Sequence, residues 1–194
     1  MNGITVDANG RADLATSTIF ENQGRTTYSP GFNQVEPNGT NKPGWGYLVN
    51  GDMNGVALAP DGTWITVGNW KADGDPVQST LAINEVNNIQ GLDINADTNW
   101  GWVFTFAVDA SANSVAIDNS GAYYYAGTIS NGAGTDMLYI KNATLDGATQ
   151  LDGLDIFIPG SNLVAYAITL DGAGNAYLAG TVDADGIIVQ ITGI

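Results

Sequence analysis

Ser114-Val115-Ala116-Ile117-Asp118-Asn119-Ser120-Gly121-Ala122-Tyr123-Tyr124-Tyr125-Ala126-Gly127-Thr128 is the stretch that decides the fold. Apolar residues precede an Asp-x-x-Gly tetrad, and a run rich in aromatic residues follows it. Asp suits the first position of a tight turn because its carboxylate accepts backbone N–H bonds. Gly suits the last because it accepts positive φ. The stretch therefore reads as a β-hairpin, with a glycine after the second strand (Gly127) that marks a bulge or close backbone packing.

The hairpin recurs. Ala167-Ile168-Thr169-Leu170-Asp171-Gly172-Ala173-Gly174-Asn175-Ala176-Tyr177-Leu178-Ala179-Gly180-Thr181 aligns with it without a gap. Gly55 to Asn69 is a third copy, in which Gly62 and Gly68 take the glycine positions and the aspartate has moved to Asp61. Ile4 to Thr16 is a weaker fourth, with its turn at Asp7 to Gly10. The turn glycines Gly10, Gly62, Gly121 and Gly174 are 52, 59 and 53 residues apart. Such a period fits one four-stranded unit per repeat. Leu81–Val86 and Met137–Lys141 supply third strands, and Trp45–Val49, Trp100–Phe106 and Leu154–Ile158 supply fourth strands. The last unit ends on a third strand, Ile187–Ile191, and the first carries an irregular stretch from Phe20 to Gly44 where its third strand belongs. Apolar residues at helical spacing are lacking.

The expected fold is all-β: a β-propeller-like array of about four units of antiparallel strands, forming a single domain over residues 1–194 with units at 1–50, 51–108, 109–160 and 161–194. The alternative is a β-sandwich built from the same hairpins. Repeat units bury their faces only against neighbours, so the open end calls for completion. The N-terminal segment closes the ring, a neighbouring chain donates a strand, or the natural protein continues.

The pattern of apolar residues, Asp-x-x-Gly, an aromatic strand and Ala-Gly-Thr resembles the bacterial β-propeller repeat, the SBBP family. The third unit extends the likeness through Thr135–Lys141 and Leu145-Asp146-Gly147. Residues 50–194 carry the resemblance well and residues 1–49 poorly. It implies a propeller-like fold and a place among secreted, surface or phage structural proteins, and says little about activity.

Composition narrows the function classes. The net charge is −15, from 20 acids against five bases. Arg11, Arg25, Lys42, Lys71 and Lys141 are scattered, so the basic stripe that a nucleic-acid partner requires is missing. With no Cys and no His, there is no Ser-His-Asp triad, no Cys nucleophile and no His-ligated zinc. No phosphate-binding P-loop is present. Seventeen Asp and three Glu leave a glycoside hydrolase using paired Asp as the remaining catalytic option, but most of these Asp have a local reason to sit in turns. The expectation is not an enzyme. The start of the chain lacks the charged and apolar regions of a signal peptide, and no apolar run approaches the roughly 18 residues of a membrane span.

Two ligand classes have candidate residues. Trp70, Trp64, Tyr123 and Tyr125 offer aromatic faces for a carbohydrate, with core packing as the competing reading. Asp73 and Asp75, and Asp183 and Asp185, form compact acidic loops whose oxygens suit calcium, the one cofactor the sequence leaves open; simple Asx turns compete. Asp118, Gly121, Asp171, Gly174 and Gly62 are read as structural turn residues. The leading expectation is a non-catalytic structural or adhesive module of an extracellular appendage or virus particle (tail- or fibre-like), at the virion or cell surface. Its partners would be other subunits of an assembly, with glycans as a second class, without nucleic acid or membrane insertion.

Overall fold

The computed structural model describes residues 2–22, 25–46, 50–60, 62, 64–71, 79–86, 103–104, 110–142, 151–156 and 162–193. These form fifteen strands in four antiparallel sheets, with no helix among the described residues. The first sheet holds β1 (Gly3–Val6), β2 (Ala12–Asn22), β3 (Arg25–Val35) and β4 (Asn41–Gly46). The second holds β5 (Asn50–Leu58), β6 (Trp64–Lys71), β7 (Ser79–Val86) and β8 (Val103–Phe104). The third holds β9 (Ala110–Ile117), β10 (Tyr123–Ser130), β11 (Thr135–Asn142) and β12 (Leu151–Ile156). The fourth holds β13 (Leu163–Leu170), β14 (Ala176–Val182) and β15 (Asp185–Ile191). Within every sheet each strand pairs with its neighbour in sequence. Four sheets, rather than the two of a sandwich, are present.

The repeated tetrads are the turns between the first and second strands. Gly10, Gly62, Gly121 and Gly174 have φ of 81°, 90°, 87° and 84°, the left-handed region where glycine is unstrained. Each glycine N–H donates to the carbonyl three residues back, on Asp7, Ala59, Asp118 and Asp171, at 3.0–3.1 Å. Ala59 therefore holds the position that Asp takes in the other three turns.

The first sheet corrects one expectation. Among the described residues of 20–44 the third strand is present: β3 pairs with β2 from Ala12↔Val35 to Asn22↔Arg25. β3 is rich in Thr and aromatic residues, which favour strands.

Successive sheets stack face to face in a propeller-like arrangement. β5 packs on β1, β2 and β3; β9 packs on β5, β6 and β7; β13 packs on β9, β10 and β11. The first strands thus form an inner row. Each joint has its own apolar core. Ala15, Phe32, Met53, Val56 and Trp64 fill the first, with Phe32 and Trp64 edge to face at 5.9 Å. Ile65, Val67, Val115, Tyr123 and Tyr125 are the centre of the second. Tyr124, Met137, Tyr139, Ile168 and Leu178 are the centre of the third. No comparably packed pair joins β13–β15 to β1–β4 among the described residues.

Candidate functional site

The polar groups that converge most tightly lie along the inner row. In the second, third and fourth sheets the first strand carries a bulge, at Asn54, Asn113 and Tyr166. The second strand faces each bulge with a glycine, because the bulged backbone leaves no room for a side chain. A Cβ on Gly68, Gly127 or Gly180 would lie 1.8, 2.0 or 1.9 Å from the carbonyl oxygen of Asp52, Ser111 or Val164.

The bulged asparagines bridge the sheets. Asn54 Nδ2 donates to Ala112 O at 3.0 Å, and Asn113 Nδ2 donates to Ala165 O at 2.7 Å. Asn2, the equivalent residue of the first sheet, donates from Nδ2 to Met53 O at 2.9 Å. Met53, Ala112 and Ala165 occupy the same position of successive repeats, so one bond recurs at all three joints. Serine links the ladder further: Asn54 Nδ2 donates to Ser111 Oγ at 3.2 Å, and Ser111 Oγ donates to Asn113 Oδ1 at 3.0 Å. The fourth repeat breaks the pattern with Tyr166, which stands 58% exposed.

A second polar cluster crosses the first joint. Asp13 is fully buried, yet its Oδ1 accepts from Gln34 Nε2 at 2.9 Å and its Oδ2 from Trp64 Nε1 at 2.8 Å. Burial pushes its carboxyl above the usual carboxylate range, against the pull of these two donors and of Arg11. The Arg11 guanidinium lies 5.3 Å from the Trp64 ring centre and 3.1 Å from Asp7.

The turn carboxylates are occupied locally. Asp118 Oδ1 accepts from Ser120 N at 2.8 Å, Ser120 Oγ at 2.6 Å and Ala122 N at 3.0 Å, and Oδ2 accepts from Tyr124 OH at 3.0 Å. Partial burial works to raise the Asp118 carboxyl, but these donors together hold it below its ordinary value. Asp171 repeats the geometry with Ala173 N, Asn175 N, Asn175 Nδ2 and Tyr177 OH at 2.7–3.1 Å. Led by the Asn175 side chain, they hold Asp171 down at about 2. Burial raises Tyr124 to about 12, with the Asp118 carboxylate adding to the effect. The carboxylates of Asp7, Asp13, Asp118 and Asp171 thus hold structure together.

The sequence-derived site residues are scattered. Trp64, Tyr123 and Tyr125 are corrected from a solvent-facing sugar platform to core: each is at most 5% exposed. Their strand register points all three at the preceding sheet, where they fill the first and second joints. The side chain of Trp70 and all of Asp73 and Asp75 lie outside the described residues. Asp183 and Asp185 are exposed. Asp183 has φ 52°, and its Oδ1 accepts from Asn162 N at 3.0 Å, a bond to the residue that precedes β13. No cluster of three metal-ligating side chains occurs among the described residues. The sequence reading missed the asparagine ladder, although Asn2, Asn54 and Asn113 each stand eight residues before a turn glycine.

No protein-family model and no curated protein matches the chain. Among solved structures, a mannose phosphorylase from Leishmania mexicana, in complex with phosphate ion, is similar at a TM-score of 0.55 and 11% identity. The match covers 94% of this chain, which spans 64% of the phosphorylase's length. Virginiamycin B lyase from Staphylococcus aureus matches at a TM-score of 0.39 and 13% identity, over 98% of this chain and 83% of that one. At such identities the phosphorylase likeness concerns the fold alone.

Proposed function

We propose that the chain is a non-catalytic structural or adhesive module of an extracellular appendage or virus particle, built as an SBBP-like propeller array. One observation supports the reading above the others: the inner row, where a propeller gathers ligand-binding groups, spends its asparagines on sheet-to-sheet bonds at every joint. Side chains bonded to backbone carbonyls in this way resist separation of the sheets and leave few free donors for a substrate. The engaged carboxylates of Asp13, Asp118 and Asp171 point the same way. A proton-transferring acid needs a free or exchangeable carboxyl oxygen, and these oxygens already accept protein donors.

The test is a paired screen on purified protein. Manno-oligosaccharides plus phosphate, together with generic glycosides, are assayed for turnover, and a glycan array is probed for binding. The reading expects no turnover. A blank array favours a purely structural module, whereas defined glycan signals favour the adhesive form. Sustained turnover that survives repurification and disappears with a point substitution in the chain would overturn it. Antibody labelling of source cells and particles then tests the location, with label confined to the cytoplasm counting against a surface role.

A further inference from the structure

The three joints use the same two sets of positions, and each terminal sheet displays one of those sets to solvent. At the joint between the third and fourth sheets, Ala116, Tyr124, Ala126 and Tyr139 pack on Ile168, Leu178, Leu170 and Ala176. On the fourth sheet's outer face the equivalents of the first group are Thr169, Tyr177, Ala179 and Ile188, by strand register. On the first sheet's outer face the equivalents of the second group are Ile4, Leu14, Val6 and Ala12. Val56, Val115 and Ile168, which share the Ile4 position in the other sheets, are 7–8% exposed. Ile4 itself is 56% exposed, Val6 59% and Ile188 74%. None of these outward residues is charged, in a chain of net charge −15. Loss of charge is what marks the centre of an interface.

We infer that copies of this chain associate head to tail, the outer face of the fourth sheet of one seating on the outer face of the first sheet of the next. A second copy is the occupant that the chain's own joints specify. One face carries the presenting positions and the other the receiving positions of a contact made three times within the molecule. The contact joins unlike faces, so it propagates to a ring or a filament rather than stopping at a two-fold dimer. Tyr166 replaces the bridging asparagine at this joint, leaving it without the hydrogen bond of the internal joints. The intermolecular joint is therefore the weaker one. Apolar contact drives it against like-charge repulsion, so salt strengthens it. The inference rests on the structural reading above and gives it a partner.

Sedimentation velocity across a concentration series of the full chain tests it, using wild type, Val6→Asp and Ile188→Asp. Both side chains stand in solvent in the monomer, and the milder Val6→Ser and Ile188→Ser replace either aspartate variant that misfolds by circular dichroism. Wild type is expected to assemble, more tightly in high salt, with each variant weakened roughly tenfold or more. An equimolar mixture of the two variants is expected to form a heterodimer that neither forms alone, because one intact joint remains between them. A wild type that stays monomeric at every concentration overturns the inference, as does assembly blocked by one variant only. Either failure leaves the turnover and glycan results, and with them the structural reading, untouched.

Discussion

Replacing Asn113 with alanine removes the strongest rung of the inner ladder. The shortest bonds lost are Nδ2 to Ala165 O at 2.7 Å and Ser111 Oγ to Oδ1 at 3.0 Å, with longer ones to Thr128 Oγ1 and from Asn54 Nδ2. Ala165 is fully buried, so its carbonyl loses a partner that water does not readily replace. A neutral bond contributes about 1 kcal/mol net, and a stranded buried acceptor costs about 1–3 kcal/mol. Asn113→Ala should therefore destabilise by about 2–3 kcal/mol. Asn2→Ala removes the equivalent bond to Met53 O; Met53 is buried as well, but Asn2 itself is exposed, so the loss should lie toward the lower end, about 1–2 kcal/mol. Urea unfolding followed by tyrosine and tryptophan fluorescence measures both. The joint between the third and fourth sheets is the one weakened, so the Asn113→Ala transition should also broaden or split as the fourth sheet separates early. An Asn113→Ala loss below about 0.5 kcal/mol would refute the ladder as a source of stability.

Trp64→Phe keeps a ring in the first core but withdraws a donor from buried Asp13, and should cost about 1.5–3 kcal/mol in urea unfolding. Gly127→Ala drives a Cβ to 2.0 Å from Ser111 O and should destabilise by more than about 3 kcal/mol, whereas Gly172→Ala meets open space and should change stability by less than about 0.5 kcal/mol. Asp171 has its pKa lowered from 3.8 to about 2, so its contribution is present above the higher value and is lost as pH falls through the lower one. Melting temperature should accordingly drop over that acid range, and less so in Asp171→Asn. Asp13 has the opposite sign: its pKa is raised, so its contribution fades as pH rises through the folded value. Asp13→Asn should therefore gain on wild type from acid to neutral pH in a thermal scan.

The hairpins were legible in the sequence because a tight turn is decided by a few adjacent residues. Asp118 with Gly121 and Asp171 with Gly174 bond within their own tetrads, so spacing alone exposed them. The third strand of the first unit was missed because Phe20 to Gly44 lacks the tetrad that flags a short turn, although Thr26, Thr27, Tyr28 and Phe32 carried strand propensity throughout. The aromatic residues failed for a different reason. A strand sends alternate side chains to opposite faces, and only the register showed that Tyr123 and Tyr125 point back while Tyr124 points forward. The bridging asparagines were invisible because their acceptors lie a full repeat away, on the backbone of another sheet. A repeat alignment extended eight residues upstream of each turn glycine would have brought Asn2, Asn54 and Asn113 into one column.

The pairing of every strand with its neighbour in sequence makes the chain a short one-dimensional lattice, with the sheets as its sites and the three joints as its couplings. Interior sites in such a lattice are held from both sides and terminal sites from one. Amide exchange should then follow a profile rather than a single rate, slowest in β6 and β9–β11 and faster toward β1 and β15. Opening would begin at either end and advance one sheet at a time, so the strands of the two inner sheets would be the last to exchange their protons with solvent.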